Sequence, residues 1–464
     1  MKIINTKFKG LFVIETDVYN DNRGWFTENY NKDLFSDKGI KFDFVQDNHS
    51  YSAKKGTLRG IHFQINPKAQ TKLVRCTRGA IIDIAVDLRK GSDTFKQWYG
   101  IELTADNKKQ LLIPKGFGHA YLTLTDNAEV QYKVDEYYSK EHDRSIKYND
   151  PEIRIDWGIQ NPILSNKDLN APLLKESDVN FSVKVLVTGA NGQLGYDVVK
   201  KLNSLGIENI GVDINDFDIT DKKQAEDYIL KSEPDVVVHC AAYTSVDKAE
   251  DEREKCYEVN VNGTRHIAGA CKKIDAKMVY ISTDYVFDGE GTEPHQEDER
   301  TAPVNYYGYT KEQGEVIVRE LLDKHFIIRT SWVYGKHGSN FVKTMLKLAQ
   351  DKNDINVVND QVGAPTYTED LASLICDMLQ TTKYGTYHGV NEGYCSWYEF
   401  AYEIFKHAGI KNIRINPINT PEYPTRAKRP LNSKLAKPNL DRNNFNRLPH
   451  WKNALSRYLK SFQD

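Results

Sequence analysis

The chain has few of the features of an exported, membrane-bound or nucleic-acid-binding protein. Its six cysteines (Cys76, Cys240, Cys256, Cys271, Cys376 and Cys395) are scattered and contain no CxxC pair. That argues against a disulfide framework or a cysteine-built zinc site and for a reduced, cytoplasmic protein. The opening stretch "MKIINTKFKGLFVIETD" holds only a short apolar run, too brief for a signal peptide or a membrane span. Charge of neither sign dominates: 63 Lys and Arg face 65 Asp and Glu, for a net charge of −2. No basic footprint for nucleic acid or an anionic membrane is therefore expected. Internal repeats and low-complexity tracts are also missing. What remains is a chain of 464 residues, 39% apolar and 28% charged, a globular composition long enough for two to three domains.

Two rhythms divide it. Up to about residue 150, short alternating or β-branched runs recur, such as "LVRCTRGAIIDIAVDL", "QLLIPKGF", "HAYLTLT" and "EVQYKVDEYY". Gly, Asn, Asp and Lys clusters separate them, a pattern that predicts an antiparallel sandwich, jelly roll or barrel. From Val183 onward, apolar strands ("VKVLVTG", "DVVVHCAA", "KMVYIST", "HFIIRTS") alternate with helical stretches such as "DKKQAEDYILKS". That alternation predicts βαβ units and a doubly wound parallel sheet of Rossmann type. The expected organisation is a β-rich domain over residues 1–176, a short linker over 177–182, and an α/β domain over 183–464 with a small C-terminal substrate subdomain.

The second half contains "GANGQLG", with Gly189, Gly192 and Gly195 in G-x-x-G-x-x-G spacing between a strand and a helix. Glycines let the backbone approach a pyrophosphate, and the helix N-terminus offers free N–H groups. Asp213 ends the next strand, where a carboxylate would bond a ribose 2′-hydroxyl and favour NADH. In "YYGYTK", Tyr307 and Lys311 are four residues apart and share a helix face. An ammonium beside a phenol is expected to lower the phenol's pKa and make it a proton donor to a carbonyl under reduction. Thr283, in "ISTDYVFDG", would add a hydroxyl to the same carbonyl.

These elements occur in the order of an extended short-chain dehydrogenase/reductase, and the stretches "STDYVFDG", "NYYGYTKEQGE", "RTSWVYG", "NDQVGAPT", "RPLNSKL" and "AAYTSVDKAE" resemble the dTDP-4-dehydrorhamnose reductase family. The resemblance implies an NADH or NADPH site formed by Gly189, Asn191, Gly192, Gln193, Leu194, Gly195, Asp213, Asp218, Ile219, Ala241, Ala242 and Tyr243, with Tyr307 and Lys311. It also implies that Tyr307 is the acid, that Thr283, Asp284 and Trp332 face the sugar, and that Arg429 contacts the substrate pyrophosphate. Sugar-nucleotide 4,6-dehydratases of this fold carry Thr-Asp-Glu. Here Tyr285 follows Thr283 and Asp284, which favours reduction over dehydration. A regulatory subunit of methionine adenosyltransferase also resembles this reductase. Some members of the reductase family bind magnesium at a subunit contact, but no ligand cluster in this sequence places one.

In the first half, His49, His62 and His119 are possible metal ligands. The paired histidines of a metal-binding cupin are broken, however, because Phe63 and Gln64 follow His62, and no metal site is assigned. The stretches "RGWFTE", "VQDNHS", "TLRGIHFQ", "IPKGFGHAY", "VQYKVDEYY" and "LSNKDLNAPLL" resemble the dTDP-4-dehydrorhamnose 3,5-epimerase family, a cupin-type jelly roll. That resemblance implies His62 as base, oriented by Asp168, with Tyr132 as acid and Lys72 stabilising an enolate. It places Arg23, Glu28, Gln46, Asn48, Arg59, His119, Tyr138 and Lys167 on the substrate. The expected enzyme epimerises a 4-keto sugar nucleotide and then reduces it, with no cofactor for the first step. Two alternatives stay open at this stage: a first half that only binds or regulates, or a UDP-linked sugar. A homodimer is expected from both families.

Overall fold

The computed structural model describes residues 1–462. Two compact units divide the chain, Met1–Ser182 and the remainder from Val183. Among the described residues no helix is long and apolar enough to cross a membrane.

The first unit is built on two large antiparallel sheets. One runs, in spatial order, Lys2–Asn5, Phe12–Glu15, Gln110–Ile113, Lys72–Arg78, Ala128–Val134 and Gln46–Ser52. The other runs Asp143–Ser145, Leu58–Gln64, Phe117–Thr123, Ala80–Asp87 and Trp98–Thr104. Their inner faces meet through Val74, Cys76, Ala85, Leu103, Tyr121 and Val130, all buried. The order is far from sequential, so distant segments such as 58–64 and 117–123 become neighbours, with His62 paired opposite His119.

Residues 177–182, expected to be a linker, are instead built into this unit. The Phe181 ring packs against Phe63 at 5.8 Å, its carbonyl accepts from the Lys90 amide at 3.1 Å, and Asn180 is bonded to Asn66. Val179 and Phe181 supply the apolar anchors that hold the segment down.

The second unit is organised on a six-stranded parallel sheet ordered Asn209–Val212, Val185–Thr188, Val236–His239, Lys277–Thr283, His325–Thr330 and Gly385–His388. Val185–Thr188 and Val236–His239 are buried throughout, as strands covered by helices on both faces must be. The strand order reverses beside Val185–Thr188, and the crevice at the carboxyl end of such a switch point is where doubly wound sheets bind ligands. Helix Gln193–Ser204 follows the glycine turn directly and buries Leu194, Val198 and Leu202, one side chain per turn. Helix Tyr306–Leu321 starts at Asn305, whose side chain accepts the Gly308 amide. A separate apolar cluster, which includes Tyr334, Val342, Tyr367, Phe400, Trp451 and Tyr458, makes a smaller lobe from the C-terminal segments.

Candidate active sites

In the first unit a cavity of about 340 Å³ opens between the two sheets. Its wall includes His62, His119, Lys72, Tyr132, Arg59, Tyr138 and Lys167. The two histidines stand on one sheet, while Lys72 and Tyr132 stand on the other. A substrate between the sheets therefore has imidazoles on one side and a phenol and an ammonium on the opposite side.

Asp168 lies on the short helix Asn166–Leu169, capped by Ser165. Its Oδ1 is 2.5 Å from His62 Nε2, and its Oδ2 accepts from the Ser165 hydroxyl at 2.8 Å. Burial opposes ionisation of Asp168, but the bonds from His62 and Ser165 outweigh it and hold the carboxyl below the usual range. With Nε2–H donated to a carboxylate, His62 Nδ1 keeps a lone pair for a proton. His119 forms a second pair, Nε2 to Asp83 Oδ1 at 2.8 Å. Burial depresses its pKa against the opposing pull of Asp83, which favours a neutral ring.

Burial also lowers Lys72 to about 8, with Asp143 acting against the shift. The ammonium sits 5.8 Å from the Tyr132 ring centre. Burial raises the Tyr132 phenol, so it holds its proton until a stronger base forms. Lys167 is paired to Asp143 at 2.5 Å. Arg59 is fixed by the Tyr51 carbonyl at 3.0 Å and the Ser52 hydroxyl.

Four residues expected on the substrate do not line this cavity. Arg23 is exposed on the hairpin of Val18–Asp21 and Gly24–Thr27 and pairs with Asp21 at 2.6 Å. Glu28 accepts from Asn31. Gln46 and Asn48 bond each other at 2.8 Å, and Gln46 also accepts the Tyr138 amide. Ser50, Gln64, Gln70, Tyr121 and Asp143 do line it. Ser50, Gln64 and Tyr121 stand within the quoted motifs, whereas nothing local marks Asp143. His49 does not line the cavity and pairs with Glu129 at 3.3 Å. No group of three or more His, Cys, Asp or Glu side chains converges as a metal site among the described residues.

In the second unit a cavity of about 930 Å³ lies over the carboxyl ends of the sheet strands. Its wall contains Gly189, Asn191, Gly192, Gln193, Leu194, Gly195, Asp213, Asp218, Ile219, Ala241, Ala242, Thr283, Asp284, Tyr307, Lys311, Trp332 and Arg429. The glycine turn is a cradle that side chains would fill. Gly189 has φ of +66°, and a Cβ there would stand 2.7 Å from the Ala241 amide nitrogen. Asp213 is tied to this turn, accepting the Asn191 amide at 3.0 Å. Gln193 accepts from the Gly335 amide and the Asn340 side chain, both at 3.1 Å, which pins the turn to the smaller lobe. Depth, close backbone approach and a helix N-terminus suit a dinucleotide. Tyr243 is the exception among the expected cofactor contacts: its hydroxyl donates to Glu252 at 3.1 Å and it does not line the cavity.

Thr283 donates to Asp284 Oδ1 at 2.8 Å. Burial raises Asp284 to about 6, and its Oδ2 has no partner. Burial, then the Asp284 charge, raise the Tyr307 phenol above its ordinary value. The expected lowering by Lys311 is not seen. The Lys311 nitrogen lies 4.1 Å from the Tyr280 ring centre, and burial lowers its own pKa to about 7. Desolvation penalises the charged form of both groups and outweighs the mutual stabilisation their spacing suggested. Arg429 donates to Tyr285 Oη at 3.2 Å and to Asp247 at 2.5 Å. Tyr285, Ser331 and Trp397 line the cavity without having been singled out for it.

Residues 183–464 match the family model described as RmlD substrate binding domain. Residues 5–176 match the model described as dTDP-4-dehydrorhamnose 3,5-epimerase. The spore coat polysaccharide biosynthesis protein SpsK of Bacillus subtilis is 43% identical over 277 residues, which is 60% of this chain and 97% of that protein. The dTDP-4-dehydrorhamnose 3,5-epimerase of Shigella flexneri is 47% identical over 179 residues, covering 38% of this chain and 98% of that one. A crystal structure of dTDP-4-dehydrorhamnose reductase from Bacillus anthracis, in complex with NADP, superposes with a TM-score of 0.59 at 44% identity, over 60% of this chain and 99% of that one. This chain thus belongs to two families in series, the dTDP-4-dehydrorhamnose 3,5-epimerase family through its first unit and the RmlD family through its second.

Proposed function

We infer that the chain is a bifunctional enzyme that makes dTDP-L-rhamnose. The first unit, read as a cupin-type jelly roll, epimerises dTDP-4-dehydro-6-deoxy-D-glucose at C3 and C5. The second, read as a Rossmann-type domain, reduces the C4 ketone of the product with NADH or NADPH. The observation that carries this reading is the presence of an acid–base set in each unit: His62–Asp168 facing Tyr132 and Lys72, and Thr283 with Tyr307 and Lys311.

In the first unit the ketone makes the C3 and C5 hydrogens acidic. His62 takes one of these protons, and Asp168 stabilises the resulting imidazolium. The Lys72 ammonium, on the cavity wall, stabilises the charge that develops on the enolate oxygen. Tyr132, on the facing sheet, returns a proton to the opposite face and inverts the centre. Arg59 offers a fork to the diphosphate.

In the second unit the reduced nicotinamide supplies hydride to C4 when bound. Tyr307 gives its proton to the ketone oxygen, and its raised pKa keeps the phenol protonated until that oxygen becomes basic. Thr283 orients the same oxygen. Lys311 and the glycine turn hold the cofactor, and Asp284 and Trp332 hold the sugar.

Two copies together suit this reading. Tyr19, Trp25 and Phe26 are exposed on the hairpin that carries Arg23, and neither Arg23 nor Glu28 reaches the cavity of its own unit. A reduced, cytoplasmic setting suits the six free thiols.

The test uses two separate variants. His62→Ala is expected to abolish solvent hydrogen exchange at C3 and C5 and to leave reduction of pre-epimerised substrate intact. Tyr307→Phe is expected to do the reverse. Loss of both activities from either single change contradicts two independent sites.

A further inference from the structure

Trp332 has φ of +47°. A bulky aromatic residue is uncommon in that left-handed region and stays there only where the surroundings hold it. Two neighbours hold this one. On one side is Gly363: a Cβ built there would lie 2.7 Å from Trp332 Cε2 and 2.9 Å from Cζ2, so the indole occupies the space a side chain would need. On the other is Trp397, stacked on Trp332 with ring centres 3.6 Å apart and planes 11° from parallel. Phe341 closes on Trp397 at 4.6 Å.

Both neighbours are carried by one ribbon. Val362–Gly363 pairs antiparallel with Cys395–Ser396, and Trp397 is the first residue of the helix that Ser396 caps. Ser396 is fixed in turn, its hydroxyl donating to Asn359 at 2.7 Å and its amide to Glu399 at 2.8 Å. The Trp332 backbone is tied to the same lobe by the Thr366 amide, 3.1 Å from its carbonyl. Both indoles line the large cavity.

We propose that Trp397 is a positioning residue for the reductase reaction: it clamps Trp332 against Gly363 so that the indole forms a fixed wall for the hexose of the sugar nucleotide. This rests on the reading that Trp332 meets the sugar. Pre-setting the wall removes an ordering cost that substrate would otherwise bear on binding, and its effect should fall on the sugar nucleotide, because neither Trp332 nor Trp397 belongs to the glycine turn or to the helix that carries Lys311.

The experiment compares Trp397→Ala, Trp397→Phe and Trp332→Phe in the full-length enzyme. Steady-state kinetics with pre-epimerised sugar nucleotide and NADPH are combined with ultraviolet circular dichroism. Indoles stacked this closely give an exciton couplet, which all three variants should lose. Trp397→Ala is expected to raise KM for the sugar nucleotide at least tenfold while KM for NADPH stays within twofold. Trp397→Phe, which keeps a stacking ring, should restore most of that loss. An unchanged sugar KM in Trp397→Ala, or an equal rise for both substrates, overturns the proposal. If Trp332→Phe also leaves the sugar KM unchanged, the reading of Trp332 as a sugar contact fails as well. If Trp332→Phe impairs the enzyme and Trp397→Ala does not, only the clamp is wrong.

Discussion

Replacing Asp168 with asparagine is the sharpest probe of the first unit, because it keeps shape and removes charge. The carboxylate lies 2.5 Å from His62 Nε2 and its side chain is 2% exposed. When His62 accepts a proton, charge centres about 4 Å apart attract by about 4 kcal/mol at an effective dielectric of about 20. The His62 side chain is 30% exposed, so water screens part of this and leaves about 2–3 kcal/mol, near the value of a charged hydrogen bond. At about 1.4 kcal/mol per tenfold, Asp168→Asn should slow epimerisation by roughly 30- to 150-fold. The assay is the rate of deuterium uptake at C3 and C5 from heavy water, followed by mass spectrometry without nicotinamide. Reduction of pre-epimerised substrate should stay at the wild-type rate, because the second unit is untouched. An epimerisation rate within threefold of wild type refutes the dyad as the source of basicity.

Two further predictions concern charge buried for function. Lys72, lowered by burial to about 8 from 10.5, carries fewer protons folded than unfolded between those values. Its cost to stability is therefore full below about pH 8 and fades as pH rises toward 10.5. Lys72→Met should abolish epimerisation yet raise the thermal midpoint at pH 7, and wild-type epimerisation should fall as pH rises through about 8; a less stable variant contradicts this. Asp284, raised by burial from 3.8 to about 6, carries more protons folded than unfolded in that window. Its cost appears as pH rises through the window and persists above it, at roughly 1.36 kcal/mol per pKa unit or about 3 kcal/mol. Asp284→Asn should therefore stabilise the fold at pH 7 in denaturant titrations, with the gain vanishing near pH 4, while sugar binding weakens. Equal stabilisation at both pH values removes burial of the charge as its cause.

The sequence made legible whatever depends on short spacing. The glycine turn, the Asp213 strand end and the Tyr307/Lys311 helix face each follow from a few adjacent residues, and all of them line the large cavity. Alternating and continuous apolar runs separated the antiparallel half from the parallel one. Pairings across the fold were harder to see. Asp168 stands 106 positions from His62, and only the resemblance of its motif to a family links the two in sequence. Trp397 carried no motif, and its meaning comes from stacking on Trp332. Spacing alone does not carry electrostatics: Lys311 and Tyr307 share a helix face, yet desolvation decides both of their pKa values. Residues 177–182 had the look of a linker until Phe181 met Phe63.

An enzyme that moves protons on a hexose and then reduces its ketone must show both steps in one incubation. The direct measurement incubates the purified enzyme in heavy water with dTDP-4-dehydro-6-deoxy-D-glucose, with and without NADPH, and weighs the sugar products while following cofactor absorbance. Deuterium is expected at both C3 and C5 in either case. With NADPH, dTDP-L-rhamnose is expected to form in step with one cofactor oxidised per sugar. Reduction without deuterium at those carbons, or deuterium uptake with NADPH left unconsumed, contradicts the two-step reaction.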